Sequence, residues 1–173
     1  SLLEAAIRLL ESKGAKVERF DFRANPLPIF DADLEAADGY PDNVLKLKAA
    51  VREADAVVIA GPEYNSGPTP LLKNAIDWVS RKSKDRGARN EWDKKVVAVI
   101  SASDGRFGGI RAQMVYRNSL SFIGAHVLPG FVAVTFAKDA FDEQGNLLDE
   151  RANRALERTM TDLLEVSCRL RDQ

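Results

Sequence analysis

From Ala56 to Trp78 the chain reads AVVIAGPEYNSGPTPLLKNAIDW, and few architectures accommodate such a run. Residues 56–60 are apolar and rich in β-branched side chains, and Gly61-Pro62 ends them. That combination predicts a short strand buried on both faces. Pro62, Gly67, Pro68 and Pro70 then forbid regular structure until a helix can start. Its start is marked by Thr69 as N-cap and Pro70 at the first helical position. Leu72, Ala75, Ile76 and Val79 follow at helical spacing and predict a core-facing stripe. A strand, a tight loop and a helix in this order place the loop at the carboxyl end of a parallel strand, where open α/β sheets bind ligands.

The remaining chain repeats the alternation. Residues 1–13 predict an amphipathic helix closed by Gly14, with Leu2, Ala6, Leu9 and Leu10 on one face. Residues 16–22 alternate apolar and polar, as an outer strand would. Residues 25–41 hold three prolines and many acidic groups and predict an irregular loop. Asp42 is placed as the cap of a helix carrying Val44, Leu47 and Val51 inward. Residues 82–90 read as a charged connector. Residues 95–100 predict a second buried strand, running into the polar, Gly-rich stretch SASDGRFGG (101–109) and a helix over 110–123. A last strand is expected over 127–136, a turn at 141–146, and a closing helix over 149–171 with Leu156, Met160, Leu163 and Leu164 facing the core. The alternation argues a three-layer α/β sandwich, a parallel sheet between helices.

The segment Pro62-Glu63-Tyr64-Asn65, with Leu72-Lys73-Asn74-Ala75-Ile76-Asp77-Trp78 behind it, resembles the NAD(P)H-dependent FMN reductase family, a flavodoxin-like group that includes quinone and chromate reductases. One local departure stands out: many relatives place Gly-Ser and a single proline after the Asn, where this chain has Ser66-Gly67-Pro68-Thr69-Pro70. The resemblance implies a single flavodoxin-like domain over 1–173, bound FMN, NAD(P)H as electron donor, and a small-molecule acceptor such as free flavin or a quinone. It places the isoalloxazine against Pro62, Glu63, Tyr64, Asn65 and Ser66 on one side and Ser101, Ala102, Ser103 and Gly105 on the other. Glycine at such a place lets backbone approach a flat ring closely. No catalytic side chain and no metal is required, because the cofactor carries the electrons. The family's assembly implies a homodimer or homotetramer through helices 71–81 and 110–123, with Trp78, Arg81 or Arg111 near a subunit boundary.

The family's first strand and its phosphate loop have no counterpart here. In the strand order 2-1-3-4-5 the first strand lies inside the sheet, so the reading expects a copy lacking that N-terminal part; the other option pairs residues 16–22 directly with 56–60. Lys73, Asn74 and Asp77 are expected on a solvated or subunit-facing surface, Trp78 in core or interface. His126 and Cys168 are read as structural and inert.

Charge narrows the alternatives. With 25 basic and 26 acidic side chains the net charge is −1, which gives no reason to expect nucleic acid or an anionic membrane as partner. It also disfavours a strongly acidic electron carrier, one of two competing readings; the other is a cofactor-free interaction domain. A single cysteine excludes an intrachain disulfide and accords with a reducing, cytoplasmic setting.

Overall fold

The structure, a computed structural model, describes residues 1–82, 87 and 89–171. Much of the charged connector at 82–90 therefore lies outside the described residues. Among these residues, six helices and four strands follow in the order α1 (Leu2–Ser12), α2 (Ala32–Asp38), α3 (Asp42–Glu53), β1 (Ala56–Ala60), α4 (Pro70–Val79), β2 (Val96–Ala102), α5 (Ile110–Phe122), β3 (His126–Val127), β4 (Val132–Val134) and α6 (Glu150–Arg171).

β2 is the centre of a parallel sheet. β1 pairs with it on one side, Ala56 opposite Val96 and Ala60 opposite Ile100. β3 and β4 share the other side, Val96 opposite His126 and Ile100 opposite Val132. Because side chains alternate along a strand, β2 divides the core in two. Val96, Ala98 and Ile100 meet Leu2, Ala6 and Leu10 of α1 and Leu156, Met160 and Leu163 of α6. Val97 and Val99 meet Leu47 and Val51 of α3, Ala75, Ile76 and Val79 of α4, and Ala112, Tyr116 and Leu120 of α5. The three layers expected from the alternation are present, and the inward stripes of α1, α3, α4 and α6 are those the periodicity predicts.

Several local expectations need correction. Residues 16–22 form no strand, because no strand among the described residues lies alongside to complete a ladder. Direct pairing with β1 is absent too, since among the described residues β1 pairs only with β2. The segment is held by side chains instead: Val17 packs on one core, Phe20 and Phe22 on the other. The strand expected over 127–136 is broken into β3 and β4. Pro129 has no N–H for the ladder, and Arg117 donates to the carbonyls of Leu128 and Gly130 that the break leaves over. Burial draws that guanidinium below the usual arginine value. The region 25–41 is not wholly irregular, since Asp31 caps α2 by accepting from Asp33 N (2.8 Å) and Leu34 N (3.2 Å). Finally, Pro41 rather than Asp42 occupies the N-cap of α3.

The motif-bearing helix α4 begins as expected, with Thr69 accepting from Leu72 N at 3.4 Å. Its Trp78 is buried, as one of the two expected options allowed, and Asn74 also faces inward. Asn74 Nδ2 and Trp78 Nε1 both donate to Pro28 O at 2.8 Å, and Asn74 Oδ1 accepts from Phe30 N at 2.8 Å. Asn74 is therefore a buried clamp on the 26–30 segment, contrary to the surface role expected for it. Lys73 and Asp77 do form a half-exposed i,i+4 pair.

Candidate functional site

Parallel β1 and β2 in register at Ala60 and Ile100 bring the loops that follow them to one edge of the sheet. The first loop leaves β1 at Gly61. A Cβ there would lie 2.6 Å from Leu72 Cδ1 and 3.2 Å from the Tyr116 ring, so only glycine lets the chain turn this close to α4 and α5. Tyr64 and Gly67 then exchange backbone bonds of 3.1 and 2.9 Å. Between them Asn65 (φ +49) and Ser66 (φ +65) both take positive φ, the combination of a type I′ hairpin turn. Ser66 thus occupies a left-handed position that suits glycine, the residue the resemblance places there. The loop's far end is tied down by Tyr116, whose hydroxyl accepts from Thr69 N at 2.7 Å.

The second loop leaves β2 at Ala102 and enters α5 through Gly108 and Gly109, with φ of +57 and +85. A Cβ on Gly108 would sit 2.8 Å from the Ala133 carbonyl carbon; one on Gly109 would sit 2.8 Å from Ser101 Cβ. This glycine pair lets the loop press against β2 and β4. A third segment closes the edge: Ser103 N donates to Val134 O (3.0 Å), Ala137 N donates to Ser103 O (3.2 Å), and Lys138 N donates to Asp104 Oδ1 (3.1 Å).

Glu63 joins the first two loops. Its carboxylate accepts from Arg111 N (3.1 Å), Arg111 Nε (2.9 Å), Arg111 Nη2 and Ala112 N (3.4 Å). The N-cap of α5 is Gly109, which has no side chain to cap with, so Glu63 performs that task from another loop. Arg111 holds the Glu63 carboxyl below the usual carboxylate range by donating to its charged form, with α5 backbone N–H groups adding to the effect against the opposing influence of burial. The Glu63 side chain is 7% exposed while that of Arg111 is 47% exposed and stands 4.7 Å over the Phe107 ring.

The residues singled out in the sequence are therefore gathered at one edge, in unequal roles. Tyr64, Asn65, Ser66 and Gly105 are exposed there, with Pro62 beside them. Ala102 and Ser103 are half-buried behind them. Ser101 is buried, and its hydroxyl donates to Gly108 O at 2.5 Å, so its side chain braces the loop from within. Glu63 is committed to α5. Sequence reasoning singled out the 101–109 stretch without giving Phe107, Gly108 or Gly109 a task of its own, and passed over Gln113 and Phe136. A signal existed for Gln113, a polar residue in helical register with Tyr116 and Leu120 on a core-facing stripe. For Phe136, exposed with φ +49, the sequence offers none.

The donor set suits the polar edge of a flat heterocycle. The amides of Asn65, Ser66, Asp104, Arg106 and Phe107 make no hydrogen bond among the described residues, and exposed Tyr64 and Phe107 lie beside them. Unpaired amides on two exposed loops, next to aromatic surface, are the kind of donors an isoalloxazine's electron-rich pyrimidine end needs. Hollows lie elsewhere. One of about 240 Å³ separates α4 and α5 and is lined by Lys73, Ile76, Asp77, Ser80, Phe122 and Ile123. It sits on the outer helical face, away from the loop chemistry, and its walls offer no comparable set of convergent amides.

A family profile described as NADPH-dependent FMN reductase matches residues 1–139. The chain belongs to that family. It is 36% identical over 159 residues to an NAD(P)H-dependent FMN reductase of Pseudomonas aeruginosa, covering 91% of this chain and 81% of the relative. Against an NADPH:quinone oxidoreductase of Arabidopsis thaliana it is 36% identical over 174 residues, covering 98% of this chain and 84% of the relative. Among solved structures, the flavoenzyme NAD(P)H:acceptor oxidoreductase FerB of Paracoccus denitrificans superposes with a TM-score of 0.76 at 28% identity, covering 98% of this chain and 91% of that one. This FMN reductase family member is an α/β oxidoreductase of flavodoxin-like architecture. Among its described residues no helix is long and apolar enough to cross a membrane, and no group of three or more His, Cys, Asp or Glu could hold a metal ion.

Proposed function

We propose that this chain is an NAD(P)H-dependent reductase that holds FMN between residues 62–67 and 101–109 and passes two electrons to free flavin, a quinone or a similar acceptor. The observation that carries the reading is the latch from Glu63 to Arg111 and the α5 amides, which sets two amide-bearing loops at one distance across a single sheet edge. The two-electron chemistry comes from the bound FMN, reduced by NAD(P)H and reoxidised by the acceptor. The protein's share is to bind and orient. Asn65 and Ser66 present backbone donors from a turn already fixed in shape, and preorganised donors stabilise charge at the flavin's polar edge without reorganising first. Tyr64 and Phe107 add apolar surface that keeps water from that edge. No protein nucleophile takes part.

Assembly follows from the outer face. Phe122 is 89% exposed and Met114 59% exposed on α5, and the hollow against α4 lies beside Phe122. Apolar surface of this kind supports a homodimer or homotetramer built on α4 and α5; sedimentation of the full-length protein reads it directly. Trp78 itself is fully buried within the chain, so Arg111, with Met114 and Phe122, is the better marker of the boundary. The single cysteine and balanced charge support a cytoplasmic setting.

The enzymatic reading is tested by NAD(P)H oxidation with FMN and a quinone. Turnover that depends on both is expected, and Asn65→Ala should lower flavin affinity or turnover while Arg151→Ala, on the exposed side of α6, changes neither. Absence of flavin-dependent turnover with every donor and acceptor pair would end the reading.

A further inference from the structure

The second loop is suspended between two fixed points, Ser101 and Gly108, and one buried side chain governs both. Ser101 Oγ donates to Gly108 O at 2.5 Å, which ties the two ends of the loop together. Gln113 Nε2 in turn donates to Ser101 Oγ at 2.7 Å and to Val132 O at 2.7 Å. A serine hydroxyl has a single proton. Because its oxygen accepts from Gln113, that proton is directed away from Gln113 and onto Gly108 O. Hydrogen bonds in series of this kind strengthen one another in a low-dielectric interior. Val132 O anchors the far end in β4, so β2, β4, α5 and the loop meet at one amide.

Other contacts hold the loop at other points: Ser103 N donates to Val134 O, Lys138 N to Asp104 Oδ1 and Gly108 N to Gly105 O, and none of them ties Ser101 to Gly108. Gly108 packs against the backbone of Ala133 and Val134, which fixes its distance from β4 but not the orientation of its carbonyl. Glu63 holds α5 from the other side of the loop, at Arg111 N and Ala112 N. Gln113 is fully buried, and its Oε1 has no hydrogen-bond partner among the described residues. An unpaired buried acceptor is unfavourable, whereas an aliphatic side chain would pack there without that cost. The two donors of Gln113 are what the fold gains from it.

We propose that Gln113 is the positioning residue of the second loop: through Ser101 it fixes the separation of Ser101 and Gly108, and thereby the aim of the Asp104, Arg106 and Phe107 amides at the polar edge of the flavin. The proposal rests on the flavin reading above. It assigns Ser101 and Gln113 to one serial device, in which removing either member undoes the same contact.

The test uses the full-length apoprotein and its Ser101→Ala, Gln113→Leu and double variants. FMN affinity is read by fluorescence quenching, the visible circular dichroism of the bound flavin by spectroscopy, and the bonded amides of Ser103 and Gly108 by hydrogen exchange without flavin. Each single variant should weaken FMN binding about tenfold, the worth of one good hydrogen bond, alter the flavin dichroism, and speed exchange at Ser103 and Gly108. The double variant should be no worse than the worse single one, because contacts in series do not add. Ser101→Ala removes only a hydroxyl, so it folds even if Gln113→Leu does not. A lowered melting temperature with unchanged flavin affinity, dichroism and loop exchange would reduce Gln113 to a packing residue and overturn the proposal, as would strictly additive effects. Absence of FMN binding by the wild-type protein would instead remove the flavin reading, and the exchange data would still decide whether the relay holds the loop.

Discussion

The two loops at the sheet edge reach the same place by opposite means. The first, 62–67, is shaped by its own sequence: a proline, a two-residue turn at positive φ and a closing pair of backbone bonds between Tyr64 and Gly67. The second, 101–109, closes on itself through Gly108 N to Gly105 O and Ser101 Oγ to Gly108 O, but is held in place from outside, by Gln113 beneath it, by β4 against Gly108, and by Glu63 at the start of α5. Local chemistry produces a turn that tolerates exposure but stores strain. Distant packing produces a loop without such strain at its tip, at the cost of depending on several elements at once. A ligand between them sees one rigid wall and one supported wall.

That contrast predicts unequal responses to mutation. The largest should be at the packed loop. In Gly108→Ala the new methyl would meet the Ala133 carbonyl carbon at 2.8 Å and its oxygen at 2.9 Å, at a φ of +57. Both are backbone atoms that cannot swing aside, so a loss of about 3 kcal/mol or more is expected from urea unfolding. A loss below about 1 kcal/mol would mean that the loop is not pressed against β4 as described.

The latch between the loops should respond less, and with a pH signature. Glu63→Gln keeps the shape and removes the charge, with an expected cost of about 1–2 kcal/mol, moderated by the exposure of Arg111. Since Arg111 lowers the carboxyl's folded-state value below the unfolded one of about 4.3, the wild-type latch contributes fully above that pH and fades as pH falls through the lower folded value. The stability gap between wild type and Glu63→Gln should therefore be constant near neutrality, begin to narrow below the unfolded value of about 4.3, and close only once pH has fallen through the lower folded value. A gap that persisted at lower pH would assign the effect to packing instead of charge.

The smallest effect should be of opposite sign. Ser66 takes φ +65 with no Cβ-free backbone to ease it. Ser66→Gly removes that strain and should stabilise the protein by up to about 1 kcal/mol. Loss of stability on this substitution would show that the serine side chain contributes more than its backbone costs.

The same contrast explains what could be read from sequence. The first loop and α4 were legible because their determinants are local: Gly61, the prolines and Thr69 lie within a single run, and the family motif is contiguous. The burial of β2 on both faces was legible for the same reason. Residues 16–22 have a strand's pattern, yet a strand exists only with a partner beside it, and that is a tertiary fact. The break at Pro129 carried a sequence warning, since proline cannot donate to a ladder, but the role of Arg117 in covering the freed carbonyls had none. At the sheet edge, the side chains of Glu63 and Ser101 are engaged with α5 and with Gly108, contacts the sequence did not show. Their partners Arg111, Gln113 and Gly108 lie 48, 12 and 7 residues away, and a side chain's partner at such range is set by packing. Asn74 was misplaced for this reason as well, because its partners at Pro28 and Phe30 lie more than 40 residues before it.

The central claim, that a flavin lies between these two loops, is tested most directly by footprinting. Hydrogen exchange of the full-length apoprotein should be compared with and without saturating FMN. The account predicts slowed exchange at both 62–67 and 102–108, with the hollow between α4 and α5 unaffected at concentrations where the protein is monomeric. Saturable FMN binding that protected the α4–α5 hollow and left both loops unchanged would contradict it.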